Sequence, residues 1–163
     1  RVQNSALSVA MVEALGANPT PMGFSQVYES LLLGTIDGSE NNWPSYESTG
    51  HYEAAGHYTL TKHTMMPEVL VMSKHRWQKL SSHQQKLIRR AAKESVSYMR
   101  EQWDKRVALS RMKVLNAGVK VVESPDLSLF AEAMKPVYES FVTTDEMRNL
   151  LKRIQETEEI PTL

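Results

Sequence analysis

The chain has 163 residues, of which 41% are hydrophobic and 23% charged, a composition typical of a globular protein with one core. Nineteen basic and nineteen acidic residues give zero formal charge, so no global field is available to hold nucleic acid or an anionic membrane surface. The absence of cysteine excludes disulfides, thiolate catalysis and cysteine-ligated zinc. No apolar run approaches the roughly 20 residues that a membrane-spanning helix needs.

The first part of the chain is predicted to alternate short strands and helices. Glycines, prolines and a capping serine mark the ends of these elements. In chain order they are a strand at 1–3, a helix at 5–15 ended by Gly16, a helix at 26–33 capped by Ser25, a helix at 45–55, and strands at 58–61 and 69–72. Because the chain has no initiator Met and begins on a predicted strand, we interpret it as a piece of a longer protein.

A long helix is predicted next. The spacing Ser82-x-x-Gln85 indicates a capping box, and the helical pattern continues to about Asn116. Such a helix is about 50 Å long, which favours a role in bridging two lobes. The remaining predicted elements are a strand at 119–122, a helix from Ser124 or Asp126 to Phe141, a helix capped by Thr143-x-x-Glu146 that ends near Gln155, and a fraying tail at 158–163.

No motif for catalysis, phosphate binding or metal binding is present. The chain lacks a nucleophile elbow, a glycine-rich phosphate loop, the H-E-x-x-H zinc motif and calcium-loop spacing. His51, His57 and His63 recur every six residues, a spacing that does not put them on one helical face, so we interpret them as unrelated. We therefore predict no metal and no cofactor.

Several stretches together carry a family resemblance. R-V-Q-N at the start, A-N-P-T-P-M-G-F-S-Q-V-Y at 17–28 and G-T-I-D-G-S-E-N-N at 34–42 resemble the solute-binding proteins of TRAP (tripartite ATP-independent periplasmic) transporters. The resemblance continues through P-E-V-L-V-M-S-K, K-L-S-x-x-x-Q-x-x-I-x-x-A-A-K-E-S, N-A-G-V-K-V and M-K-P-V-Y, and so covers nearly the whole chain. It corresponds to the C-terminal portion of the family.

The resemblance implies a set of ligand-binding residues. Arg1, which opens the R-V-x-N motif, is expected to form a two-pronged salt bridge with a substrate carboxylate, a geometry that a planar guanidinium suits and a lysine ammonium does not. Asn4 is expected to face a polar substituent of the ligand, Phe24 to form an apolar wall, and Asn41 to be the second polar partner of the carboxylate. Glu68 is the remaining candidate, as an acceptor from ligand hydroxyls.

Each of these residues also has a purely structural interpretation. Arg1 on its own is typical of an exposed strand end. Asn4 could cap the first helix, Phe24 could belong to the core, and Asn41 could belong to a turn.

The neighbours of Asn41 are interpreted as structural. Glu40 is predicted to make a structural contact rather than to contact the ligand. Trp43 and Tyr46 could stack on a sugar, but large aromatic side chains are more often buried, so we leave them outside the site.

The implied fold is α/β, with two lobes joined by crossing strands and a long inter-lobe helix, and the first lobe is largely missing here. Residues 1–66 and 107–163 would form the second, ligand-binding lobe. Residues 67–106 would cross to the missing N-terminal lobe. The apolar residues at 69–72 with Leu87, Ile88 and Ala91 are therefore predicted to form an exposed patch, or to be covered by the missing lobe or by another copy of the chain.

The function implied is capture without chemistry. A small organic acid, with a uronate or aldonate favoured, would be enclosed by lobe closure in the periplasm and delivered to the membrane-embedded permease subunits of the transporter. Two other interpretations stay open: a fragment of an α/β enzyme acting on a carboxylate substrate, which needs a convergent nucleophile and base, and a helical interaction module built on 82–116. No partner is predicted among nucleic acids.

Overall fold

The computed structural model describes residues 1–157, and the predicted tail at 158–163 lies outside the described residues. The chain divides into two compact units. One consists of Arg1–Glu40 with the chain from Ser124 onward, and the other is Asn41–Glu123. These boundaries differ from the predicted lobe boundaries, and the lobe assignment stays a prediction.

The unit that contains both ends of the chain is built from helices and one isolated bridge. Val2 pairs in parallel with Pro21 in place of the predicted strand, and Val2, Val27 and Val137 are each buried. Helices α1 and α8 pack against each other. Its helices are α1 (Ala6–Ala14), a 3₁₀ turn (Phe24–Gln26), α2 (Val27–Leu32), α7 (Leu127–Ala133), α8 (Lys135–Phe141) and α9 (Asp145–Gln155).

Three predicted details of this unit were wrong. Ser25 lies inside the 3₁₀ turn and does not cap α2. The single helix predicted to end at Phe141 is two helices, because Pro136 has no N–H to donate to the carbonyl four residues earlier. Thr144, rather than Thr143, caps α9 by accepting a hydrogen bond from the Met147 nitrogen.

The second unit combines short helices with a parallel pair of strands. Its elements are α3 (Trp43–Ser48), α4 (His51–Ala54), β1 (His57–Thr59), α5 (Lys74–Trp77), α6 (Ser82–Asn116) and β2 (Lys120–Val122). Tyr58 of β1 lies opposite Val121 of β2. The single helix predicted at 45–55 is divided into α3 and α4, because Gly50 adopts the left-handed backbone region at φ 72°.

The core of this unit lies between α3, the end of α6 and the strands. Tyr46, Val114 and Val119 are buried together. Half-buried aromatic and aliphatic side chains pack around them, namely Trp43, Tyr52, Tyr58 and Val121.

The long helix α6 is confirmed, with 35 residues, but its capping box lies one residue earlier than predicted. The sequence Ser81-Ser82-His83-Gln84-Gln85 fits two registers. In the structure Ser81 and Gln84 cap each other. Gln85 instead donates to the carbonyls of Trp77 and Leu80, which ties the preceding turn to the helix.

The segment 69–72 was predicted to be a strand, and it is not. The chain has no helix or strand from residue 60 to residue 73. A strand needs a hydrogen-bonded neighbour, and none pairs with this segment within residues 1–157. Its side chains are exposed, with Leu70 at 81%, and so are Leu87, Ile88 and Ala91. The side chains predicted to be exposed are therefore exposed in the chain by itself.

Candidate functional site

Arg1 is held by its own unit and is not an exposed strand end. Its side chain is only 6% exposed. Its Nε donates to the Met22 carbonyl at 3.3 Å, its main-chain nitrogen donates to the Gly38 carbonyl at 2.7 Å, and Nη1 lies 3.9 Å from Oε1 of Glu40. The guanidinium carbon lies 5.8 Å from the centre of the Phe24 ring. Arg1 is therefore not an exposed strand end, and Glu40 makes an ion pair with it inside the unit.

The local fold explains why these groups meet. The bridge between Val2 and Pro21 is closed by hydrogen bonds from the Val2 nitrogen to Thr20 and from the Met22 nitrogen to Val2. It therefore aligns the start of the chain with the segment that leads to Phe24. The side chain of Gln26 then accepts from the Gly23 nitrogen at 3.1 Å, which fixes the 3₁₀ turn carrying the ring.

The guanidinium of Arg1 keeps unused donor capacity. Within the described residues its side chain makes a hydrogen bond through Nε alone, since the 3.9 Å contact with Glu40 is an ion pair too long for a hydrogen bond. The terminal N–H groups remain for water or for an anion. Glu40 thus places a negative charge close enough to balance the buried guanidinium.

Asn4 and Phe24 do not have the structural roles considered for them. Ser5, not Asn4, occupies the N-cap of α1, and Asn4 is exposed. Phe24 is 43% exposed and lies against Arg1, so it is not a core residue. The structure therefore brings Arg1 and Phe24 together and leaves Asn4 on the surface nearby in the chain.

Asn41 and Glu68 belong to the other unit. The Asn41 Oδ1 accepts from the Asn42 nitrogen at 2.9 Å, and its main-chain carbonyl accepts from the Tyr58 hydroxyl at 2.6 Å. The N–H groups of the Asn41 amide make no hydrogen bond among residues 1–157. Glu68 is exposed in the segment that has neither helix nor strand.

A buried ion-pair cluster in the second unit was missed from the sequence. Glu47 of α3 is buried and binds Arg106 and Lys113 of α6 at 2.5 Å each, with the Ser110 hydroxyl 3.5 Å away. The hydrogen bond from Lys113 is the main cause that lowers the pKa of Glu47, and the charge of Arg106 acts in the same direction against the opposing effect of burial. The signal was the set of polar residues at 106, 110 and 113, which interrupt the apolar face of α6 at helical spacing.

Neither a metal site nor a membrane span is found in the described part. Among residues 1–157, no group of three His, Cys, Asp or Glu side chains could hold a metal ion. No helix within the same residues is both long enough and apolar enough to cross a membrane.

Comparison with known proteins decides the family. Residues 1–145 match the model of the bacterial extracellular solute-binding proteins, family 7. The chain belongs to this family. A solute-binding protein of Chromohalobacter salexigens is 44% identical over 97% of this chain and 47% of its own length. The sialic acid-binding periplasmic protein SiaP of Vibrio cholerae is 31% identical over 86% of this chain and 44% of its own length. The predicted resemblance is thus confirmed.

Solved structures of family members have the same fold. A TRAP periplasmic solute-binding protein from a Bradyrhizobium species, in complex with D-galacturonate, superposes with a TM-score of 0.86 at 52% identity, over 96% of this chain and 52% of that one. A second TRAP periplasmic solute-binding protein, from Roseobacter denitrificans with bound β-D-glucuronate, superposes with a TM-score of 0.90 at 46% identity. The match covers 97% of this chain and 53% of that one. The chain spans about half the length of the curated relatives it matches. Its fold is therefore that of about half of a TRAP solute-binding protein.

Proposed function

We propose that this chain is part of the periplasmic solute-binding component of a TRAP transporter and that it captures a uronate through Arg1. The observation that carries the proposal is the guanidinium itself, a nearly buried cation whose terminal N–H groups make no hydrogen bond within the described residues. Similar proteins of solved structure hold D-galacturonate or D-glucuronate, which are sugars with one carboxylate.

The chemistry of capture follows from this geometry. A carboxylate that approaches the edge of the Arg1 guanidinium receives two parallel N–H donors. Because the side chain is already withdrawn from water and anchored by Met22, little conformational freedom is lost on binding. Glu40, at 3.9 Å, keeps the guanidinium charge balanced when no ligand is bound. The Phe24 ring excludes water on one side and favours the apolar face of a sugar ring.

The other predicted ligand residues have less support. Asn4 is exposed near Arg1 in the sequence and has an amide that can donate and accept. Asn41 and Glu68 remain predictions from the family resemblance. No bond is made or broken in this proposal, so the ligand is released chemically unchanged to the membrane permease.

The lobe assignment is also part of the proposal. Residues 1–66 and 107–163 would form the ligand-binding lobe, and residues 67–106 would cross to an N-terminal lobe. The exposed apolar side chains at 69–72 and along the first half of α6 support this, because they need a covering surface that residues 1–157 do not supply. The relatives, about twice as long as this chain, have the additional residues to supply it.

The decisive test is Arg1→Lys in the full-length protein, measured by calorimetry with D-galacturonate and D-glucuronate. Lysine keeps the charge but loses the paired donors, so we expect the dissociation constant to rise about 100-fold. Arg111→Lys is the matched control, because Arg111 pairs with Glu123 at an exposed site. It should leave affinity unchanged. An Arg1→Lys protein that binds within about threefold of the parent would remove Arg1 from the site.

The enzyme alternative is tested with the same protein. After incubation with D-galacturonate, extraction and mass spectrometry should return the sugar acid unaltered and in the amount added. Turnover to a product would contradict capture and favour an enzyme that acts on a carboxylate.

A further inference from the structure

The main chain at Asn41 is held by a tyrosine that no sequence motif singled out. The Tyr58 hydroxyl donates to the Asn41 carbonyl at 2.6 Å across 17 residues of sequence. Tyr58 lies on β1, where its position is set by pairing with Val121 of β2. Its ring stacks on Trp43 at 4.1 Å between centroids and lies 4.8 Å from Tyr46. The hydroxyl is therefore placed by the core of the second unit, not by a flexible surface loop.

The side chain of Asn41 is oriented by its neighbour. The Asn42 nitrogen is a donor, so only the oxygen of the Asn41 amide can face it, and the two atoms lie 2.9 Å apart. The Asn42 side chain is engaged elsewhere, since its Oδ1 accepts from the Ser45 nitrogen and caps α3. The consecutive asparagines thus have different roles: Asn42 caps the helix, and the Asn41 amide N–H groups make no hydrogen bond within residues 1–157.

We propose that Tyr58 is a positioning residue for ligand binding, which fixes the main chain at Asn41 so that the Asn41 amide N–H groups can donate to the ligand. This inference rests on the proposed uronate-binding role of Asn41. The Asn41 oxygen already accepts from the Asn42 nitrogen, and the amide N–H groups can donate to an acceptor such as a carboxylate oxygen. Tyr58 therefore contributes to the affinity for a carboxylate without contacting the ligand itself.

The physical argument is one of preorganisation. An asparagine at the start of a short helix has main-chain freedom that must be lost when it binds a ligand. The hydrogen bond from Tyr58 removes that freedom before the ligand arrives, and the parallel strands hold Tyr58. Loss of the Tyr58 hydroxyl should weaken ligand binding by an amount typical of one hydrogen bond. This loss should occur only when the Asn41 side chain is present.

A double-mutant cycle in the full-length protein tests this. The variants are Tyr58→Phe, Asn41→Ala and the pair together, with the affinity for D-galacturonate measured by calorimetry. Asn41→Ala keeps the carbonyl that Tyr58 binds and removes only the amide. We expect Tyr58→Phe to raise the dissociation constant about 5- to 10-fold in the parent, and less than about 2-fold when Asn41 is already alanine.

Tyr46→Phe is the matched control. The Tyr46 hydroxyl also donates to a main-chain carbonyl within the same aromatic cluster, that of Ala55. Its removal should lower thermal stability about as much as the loss of the Tyr58 hydroxyl, yet leave the affinity within about 2-fold of the parent. A purely structural role for Tyr58 predicts instead that both tyrosine variants change affinity alike.

Rescue provides a second measurement that does not depend on the stability of Tyr58→Phe. Incorporation of p-aminophenylalanine at position 58 restores an N–H donor at the end of the ring and should return the affinity to within about 2-fold of the parent.

Three outcomes would overturn the inference. The first is an equal effect of Tyr58→Phe with and without the Asn41 amide, and the second is no effect in the parent. The third is unchanged affinity of Asn41→Ala, which removes the ligand role of Asn41 on which the inference depends. None of these outcomes would contradict the proposal that Arg1 binds the ligand carboxylate. The Arg1→Lys measurement tests that proposal separately.

Discussion

The two halves of helix α6 have similar apolar content, but only the second half contains buried residues. Near its C-terminal end, Val114 and Ser110 are fully buried, and Arg106 and Lys113 bind the buried Glu47 of α3. In the first half, large apolar side chains are exposed, among them Leu87, Ile88, Val96 and Met99. The difference teaches that an apolar pattern indicates which face can be buried, but burial itself depends on a partner surface.

The largest expected effect comes from comparing Val114→Ala with Val96→Ala, which make the same chemical change in the two halves of one helix. Val114 is 0% exposed, so its truncation should lower the free energy of unfolding by about 2 kcal/mol through lost burial and a residual cavity. Val96 is 46% exposed, and Val96→Ala should change the free energy of unfolding by less than about 0.5 kcal/mol. Chemical denaturation of the 163-residue chain measures both. Equal losses would contradict the contrast between the halves.

The second test removes the charge of Glu47. Glu47→Gln should lower the melting temperature at neutral pH by roughly 3–6 °C, a moderate effect because Arg106 and Lys113 are half-exposed and screened by water. The matched control is Glu101→Gln on α6, where an exposed pair with Lys105 should contribute nothing measurable.

The pH dependence of this difference follows from the sign of the shift. The pKa of Glu47 is lowered from its usual 4.5 in the folded chain, chiefly by the hydrogen bond from Lys113. Its stabilising contribution is then fully present above pH 4.5 and is lost as the pH falls through the lower folded-state pKa. The parent and Glu47→Gln melting curves should therefore converge in acid. A difference that persists unchanged at low pH would mean that shape, not charge, determines the role of Glu47.

The smallest effect is expected for Leu87→Ala in the 163-residue chain, below about 0.5 kcal/mol, because Leu87 is 41% exposed and leaves no enclosed cavity. In the full-length protein the same substitution should cost about 2–4 kcal/mol if an N-terminal lobe covers this half of the helix. Chemical denaturation of both proteins, each with and without Leu87→Ala, measures the two changes in the free energy of unfolding. A small effect in both would contradict the proposed crossing of residues 67–106.

Part of the fold and of the site could be predicted from the sequence. Helix α6 was predictable because its pattern is long and both of its ends carry chemical signals, a serine cap and Gly118 at φ 86°. Its exact cap was not, since two serine–glutamine registers exist and only the contacts of Gln85 with the preceding turn choose between them. Arg1 was singled out by family motifs alone, and its buried contact with Glu40 appears only in the folded unit.

By itself the sequence determined the family, the helical periodicity and the identity of a guanidinium suited to a carboxylate, because these depend on local order along the chain. Tertiary structure decided which of the apolar residues are buried and which polar groups meet. Tyr58 and Asn41 are 17 residues apart and Glu47 and Lys113 are 66 apart. No local pattern encodes such pairs, since each depends on how separate elements pack. For the same reason the segment 69–72, strand-like in composition, is not a strand without a neighbour to pair with.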